Sequence, residues 1–269
     1  MSTPAIRVVV TGVSGRMGAT LVRMVRDAPG LVVSGGTDKP GSASVGKDVG
    51  LVAHLEPLTL STVASLGEVL DGCDVVIDFS SPEASLEHAR LCAKAGKPLV
   101  IGTTGLSAEA KATLAETARQ VAIVAAPNMS VGVNLVVELA AQLAARLGSD
   151  FDVEVMETHH RMKKDAPSGT ALWLANELAK ALGRTQDDVR TSRVGLVGER
   201  PRGEIGVQAL RGGDVVGEHT VFFLGDGERV ELTHRAMSRD HFGRGAVRAA
   251  RWVVTQPPGL YDMSHVLRA

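Results

Sequence analysis

Through the first half of the chain, short apolar runs alternate with stretches of helical periodicity. Arg7-Val8-Val9-Val10 predicts a buried strand, and beyond the turn at residues 11–18 apolar positions recur at Leu21, Val22, Met24 and Val25, the spacing of one helix face. Further strands are predicted at residues 31–38, 74–79, 98–102 and 121–125, with helices at 82–95 and 107–120 between the later ones. Apolar runs joined by helices imply a parallel sheet covered on both faces. After Asn128 the rhythm changes. A helix over 134–147 precedes Phe151-Asp152-Val153-Glu154-Val155, where apolar and acidic residues alternate as in a strand with one exposed face. A helix at 172–182 stops at Gly183, and Gly225-Asp226-Gly227 turns residues 220–224 back on 229–233 as a hairpin. Residues 243–254 return to helical spacing.

The expected fold is α/β: an N-terminal Rossmann-type, doubly wound parallel sheet over residues 1–130 plus 241–269, and a second α+β domain for substrate and oligomerisation over 131–240. Hinge closure would bring cofactor and substrate together. With 269 residues, 44% hydrophobic and 22% charged, the chain can bury a large core. A formal net charge of −1 gives no general attraction for nucleic acid or anionic membrane, so any anion site must be local. Cys73 and Cys92 have neither metal-ligand spacing nor the density of a disulfide scaffold, and no apolar run approaches a membrane span. A cytoplasmic protein follows as the expectation, with no metal.

Two stretches carry candidate chemistry. Gly12-Val13-Ser14-Gly15-Arg16-Met17-Gly18 lies between a strand and a helix, where small residues admit a pyrophosphate to the backbone and the helix N-terminus offers free N–H groups. Asp38 ends the second strand, twenty residues beyond Gly18, where a carboxylate can accept ribose hydroxyls; Lys39 beside it could pair with a 2′-phosphate. Both NADH and NADPH are therefore expected to serve, with NADH favoured. Gly102-Thr103-Thr104-Gly105 and Ala126-Pro127-Asn128-Met129 follow later strands and are candidates for the nicotinamide pocket, although each could equally be a turn.

The second stretch is Glu157-Thr158-His159-His160-Arg161-Met162-Lys163-Lys164-Asp165-Ala166-Pro167-Ser168-Gly169-Thr170. Two histidines stand beside fixed positive charge, and Ser168 is placed to cap a helix whose first turn, with Gly169 and Thr170, could hold a carboxylate. His160 or a nearby cation would complete that grip. A capped helix with a solvated basic loop explains the Ser and Pro but not adjacent histidines followed by Lys163.

Together with Asp78-Phe79-Ser80, Asn128-Met129-Ser130-Val131-Gly132-Val133-Asn134 and Gly217-Glu218-His219-Thr220, these stretches make nearly the whole chain resemble the bacterial dihydrodipicolinate (4-hydroxy-tetrahydrodipicolinate) reductases of the diaminopimelate route to lysine. The resemblance implies NAD(P)H-dependent reduction of a small cyclic dicarboxylate and a homotetramer assembled through the second domain's sheets. It implies that His159 is the general acid/base and Lys163 the proton donor, that His160, Gly169 and Thr170 meet the substrate carboxylates, and that residues 12–17, Asp38, 102–104 and 126–129 contact the cofactor. Met129 stands where an aromatic residue is often found.

Other nicotinamide enzymes fit less well. The chain has a single tyrosine, Tyr261, with His265 rather than Lys four residues on, which excludes the Tyr/Lys chemistry of short-chain dehydrogenases. Cys92 falls within a helical pattern and Cys73 before a buried strand, poor positions for a semialdehyde dehydrogenase nucleophile. Homoserine dehydrogenase-like reduction and a non-catalytic NAD(P)-binding sensor remain as alternatives, the latter having no use for His159 and Lys163.

Overall fold

A computed structural model describes residues 4–268 and divides the chain into two compact units, one running to Val131 and resuming at Asp240, the other Gly132–Arg239. The first unit is built on seven parallel strands in the order β12-β6-β5-β4-β1-β2-β3. They are β1 (Ile6–Thr11), β2 (Leu31–Thr37), β3 (Thr62–Val63), β4 (Val75–Asp78), β5 (Leu99–Ile101), β6 (Ala122–Ala125) and β12 (Gly259–Tyr261). Alternate residues of each strand face opposite layers. Val8, Val10, Val75, Ile77, Val100 and Val124 pack with Leu21, Val22 and Val25 of α1 (Arg16–Asp27) and Ala246, Ala249, Ala250 and Val253 of α7 (Asp240–Val253). Val9, Val76, Leu99, Ile101 and Ile123 pack on the other side with Ala89 and Cys92 of α3 (Pro82–Ala95) and Leu114 of α4 (Ala108–Thr117). Both faces are covered, which is why the strands read as continuous apolar runs.

The second unit carries a five-stranded mixed sheet, β11-β10-β7-β9-β8, from β7 (Asp152–His159), β8 (Val189–Arg190), β9 (Ile205–Arg211), β10 (Gly217–Gly225) and β11 (Glu228–Ala236). The predicted hairpin is present, with β10 antiparallel to β11 and Gly225 opposite Glu228. One face buries Val153, Val155, Ile205, Val207, Val221 and Phe223 against α5 (Val131–Leu147) and α6 (Gly169–Ala181). The other presents Glu154, Met156, Gln208 and Phe222, and here Arg193 and Arg200 from the 190–204 loop close ion pairs on Glu154.

Two features depart from expectation. Strand β9 had no clear signal, since its apolar positions are interrupted by Gly206 and its value lies in pairing parallel to β7, a partner fifty residues away in sequence. No apolar run was expected to reach the length of a membrane span, yet Val131–Asp150 is long and apolar enough to cross one by length and composition. Its Val133, Val137, Ala140 and Ala144 instead form part of the second unit's core.

Candidate active site

In the first unit, the candidate cofactor residues gather at the carboxyl ends of the strands, where open α/β sheets bind ligands. Gly12 has φ of 63°, a conformation costly for residues with a Cβ, and the Gly15 amide donates back to its carbonyl at 2.9 Å. A Cβ at Gly18 would lie 2.0 Å from the Gly12 carbonyl oxygen, so glycine is required where helix α1 passes the turn. The N-cap of α1 is Gly15, which offers no side chain to the first helical N–H groups and leaves them for an anion. Asp38 ties the end of β2 to this turn, accepting from the amides of Ser14 (3.2 Å) and Lys39 (2.8 Å) and from the Ser44 hydroxyl (2.8 Å). Partial burial pushes its pKa up, but these donors outweigh burial and hold it below the usual carboxylate value, so it is an anion at neutral pH.

The other cofactor candidates sit at the ends of adjacent strands β5 and β6, where Thr103, Thr104, Ala126 and Pro127 line a cavity of about 430 Å³ with Tyr261 and His265. Gly102 is glycine because the Phe79 ring occupies the place of a Cβ, 2.1 Å away. Thr103 Oγ1 accepts from the Ser80 amide and the Ser85 hydroxyl, and Asn128 Oδ1 accepts from the Ser130 amide. The side chains of Val13, Ala126 and Met129 are buried in the core.

In the second unit, β7 ends in the predicted chemical segment. Its inward positions run Val153, Val155, Glu157, so the same alternation that fills the core delivers a fully buried carboxylate at the strand's end. Each Glu157 oxygen receives two donors. Oε2 accepts from Arg211 Nη1 (2.8 Å) and meets His159 Nδ1 at 2.5 Å; Oε1 accepts from Arg211 Nη2 (2.7 Å) and the Ser168 amide (2.9 Å). Burial pushes the Glu157 pKa up, but Arg211, His159 and the Ser168 amide together hold it below the usual value. Burial lowers the His159 pKa, with Lys163 and Arg211 adding to that effect and Glu157 opposing it. His219 packs edge-on against His159 at 5.2 Å between centroids, its Nε2 lies 3.2 Å from Ser168 Oγ, and burial pushes its pKa down to about 3. His219 is thus a neutral wall. Gly217 gives the imidazole room, since a Cβ there would stand 2.9 Å from His159 Nε2.

Ser168 caps α6 as predicted, its Oγ accepting from the Ala171 amide at 3.2 Å. It is buried, with amide and hydroxyl both engaged inside the protein, so it shapes the helix start, while Gly169 next to it is exposed and Thr170 half-buried. Lys163 pairs with Asp165 at 2.9 Å, and the Arg211 guanidinium reaches the Asp165 carbonyl at 2.7 Å, pinning the cationic loop to the sheet. The adjacent histidines diverge: His160 lines a separate shallow cleft with Arg161, Met162, Gly213 and Asp214, and its Nδ1 is buried without a partner.

Family models for dihydrodipicolinate reductase match nearly all of the chain, the N-terminal model over residues 6–129 and the C-terminal model over 132–267. This chain belongs to that family. The 4-hydroxy-tetrahydrodipicolinate reductase of Myxococcus xanthus (strain DK1622) is 62% identical over 264 residues, covering 97% of each chain. That of Anaeromyxobacter dehalogenans (strain 2CP-1 / ATCC BAA-258) is 58% identical over 262 residues with the same coverage. Among solved structures, the dipicolinate-bound dihydrodipicolinate reductase from Paenisporosarcina sp. TG-14 superposes with a TM-score of 0.77 at 25% identity, covering 96% of this chain and 97% of that one. As a member of the family this chain is an oxidoreductase that depends on a pyridine nucleotide.

Sequence reasoning named His159, His160, Lys163, Ser168, Gly169 and Thr170 but gave no role to Glu157 and missed Arg211 entirely. It noted Gly217 and His219 only within the family resemblance. Arg211 had no signal to offer, because a lone arginine 54 residues beyond its partner resembles any surface cation.

Proposed function

We propose that the chain reduces 4-hydroxy-tetrahydrodipicolinate (dihydrodipicolinate) to tetrahydrodipicolinate in the diaminopimelate branch of lysine biosynthesis, in the cytoplasm, with His159 and Lys163 delivering the proton. The observation that carries this reading is the grouping of His159 and the capped start of α6 on buried Glu157, with the Lys163 loop tied to the same cluster through Asp165 and Arg211, in a chain of this family. Gly169 and Thr170 lie at the positive end of a thirteen-residue helix, suited to a substrate carboxylate. A bound reduced nicotinamide supplies the hydride. The protein's residues hold the dianion, orient it, and return one proton from an imidazolium whose Nδ1–H stays on Glu157 while Nε2 gives up its hydrogen. Water leaves from the hydroxylated carbon, and the two electrons of the hydride with that proton saturate the conjugated double bond.

Asp38, held as an anion, accepts ribose hydroxyls and repels a 2′-phosphate, which supports NADH as the favoured coenzyme; Lys39, exposed beside it, lets NADPH serve as well. Homotetramer formation through the second unit's sheets is supported by the apolar Met156, Phe222 and Leu224 on its uncovered face and by exposed Val194, Leu196 and Val197 on the adjoining loop. Light scattering that gave a monomer would remove that part of the reading.

The deciding experiment is a coupled assay with freshly generated pathway substrate, following NADH and NADPH oxidation separately. Turnover with both coenzymes, and a higher kcat/KM for NADH, is expected. Binding of NADH without any turnover would favour the non-catalytic sensor instead.

A further inference from the structure

Four donors converge on the two oxygens of Glu157, and they come from three residues on different elements: His159 at the end of β7, Ser168 at the start of α6, and Arg211, which gives two, at the end of β9. A carboxylate that only stabilised the fold could be satisfied by Arg211 alone. Here one oxygen fixes the imidazole and the other fixes the helix start, and Arg211 spans both while its Nη2 also holds the Asp165 carbonyl of the Lys163 loop. We propose that Glu157 and Arg211 are a positioning pair that locks His159 as its Nδ1–H tautomer and ties that proton donor to the carboxylate-binding helix start. The proposal rests on the reading of His159 as the acid.

The chemistry of the two His159 nitrogens explains why a carboxylate stands here. The imidazolium and the neutral ring share the same Nδ1–H···Oε2 bond, so proton transfer at Nε2 leaves every contact of Glu157 unchanged. Nε2 has the small clearance left by Gly217 and, among the described residues, no hydrogen-bond partner of its own. Arg211 is equally necessary, because Glu157 without it would be a buried carboxylate facing an imidazolium, and would take the proton from Nδ1, leaving a neutral Nε2–H ring that is a far weaker acid. Replacing Glu157 by Gln retains the shape but puts an NH2 group where an oxygen stood. At one position that group faces Arg211 and the Ser168 amide, donor against donor. At the other it donates to His159 Nδ1 and inverts the tautomer.

The groups facing His159 are Glu157 on its own strand, Lys163 on the following loop, Arg211 on β9 and His219 on β10, with His234 of β11 acting in turn on His219. Of these, Glu157 alone raises the His159 pKa by direct hydrogen bonding. Its neutralisation should therefore move the loss of kcat with rising pH to lower pH, a change that a purely structural residue would not produce.

Nitrogen-15 NMR of the wild-type protein, with the His159 signals assigned by their loss in His159→Gln, reads the tautomer directly and needs neither substrate nor turnover. The Nδ1–H form is expected at neutral pH; an Nε2–H form in the wild type overturns the proposal. In Glu157→Gln, the expected results are an inverted or mixed tautomer, a loss in kcat of about 100-fold, an alkaline limb displaced to lower pH, and an unchanged Kd for NADH. A Glu157→Gln protein with wild-type tautomer and pH profile overturns the proposal. Arg211→Lys, which keeps the charge but not the fork, provides a second variant should Glu157→Gln not fold, and is expected to lower kcat while leaving the Kd for NADH unchanged; full kcat in Arg211→Lys counts against the pair. Failure of the underlying reading looks different, as His159→Gln would then retain activity whatever the NMR tautomer.

Discussion

At the glycine turn of the first unit, the atoms offered to a ligand are backbone N–H groups, and the side chains are absent where they would obstruct: Gly18 passes so close to Gly12 that one methyl group would collide with a carbonyl oxygen. At the end of β7 in the second unit the reverse holds, and a fully buried glutamate gathers an imidazole, a guanidinium and a helix amide around itself. The buried carboxylate of the first unit, Asp78, is met at 2.6 Å by the hydroxyls of Thr11 and Ser80 with the His88 ring 3.4 Å away, whereas Glu157 is met by a forked cation. The difference suits the tasks proposed for the two sites. A cofactor that is carried unchanged in outline through many reactions needs shape and a steady positive end, which backbone provides at no cost in desolvated charge. A group that must gain and lose a proton needs its charge states balanced, and only ionisable side chains held in low dielectric can do that.

The contrast is open to being broken. The largest effect is expected in the second unit, where His159→Gln and Lys163→Ala should each reduce kcat by at least ~100-fold while titration of NADH gives an unaltered Kd. Activity surviving both changes would place the proton source elsewhere. In the first unit, Gly18→Ala should do the opposite, weakening NADH by roughly 10- to 100-fold, as expected from about 1–3 kcal/mol of overpacking strain. Fluorescence titration reads this directly, and wild-type affinity would show that the turn yields more easily than its geometry suggests.

A smaller effect sharpens the role of the carboxylate among the candidate nucleotide-site residues. Asp38→Ser removes the repulsion of a 2′-phosphate and should shift the ratio of kcat/KM for NADPH over NADH upward by about tenfold, the worth of one charge-assisted contact. An unmoved ratio would free Asp38 from any part in coenzyme choice.

The last prediction is a matter of pH. Burial and neighbouring cations depress the His159 pKa below its ordinary 6.5 in the free enzyme. If the protonated ring is required, kcat/KM, which reports the free enzyme, should fall as pH rises through that lowered value. Bound dianion favours the imidazolium and raises the pKa in the complex, so kcat should persist to higher pH than kcat/KM. Coincident profiles would mean that the substrate's charge is not felt at His159.

How much of this was readable in advance varied with distance along the chain. The parallel sheet, the glycine turn, Asp38 and the Ser168 cap were legible because each depends on residues within one or two elements. Strand spacing, a φ that only glycine adopts easily and an N-cap are local demands. The burial of the Val13 and Met129 side chains was not legible, since a motif specifies a backbone but not which side chains the core has claimed. Strand β9 escaped notice for a related reason: its stability comes from pairing with β7, and its own pattern is too short and too broken by glycine to announce it.

The sequence by itself determined a doubly wound α/β unit and an α+β unit, a glycine turn followed by an acidic strand end, and a histidine- and lysine-bearing segment that ends in a helix cap. Tertiary structure alone decided that Glu157 would lie buried with Arg211 against it, that His219 and Gly217 would frame the ring of His159, and that His160 would face another cleft. Burial of a charge becomes favourable only when its partners arrive from other strands, and the register that delivers Arg211 to Glu157 is set by the packing of the whole sheet, not by either residue's neighbours in the chain.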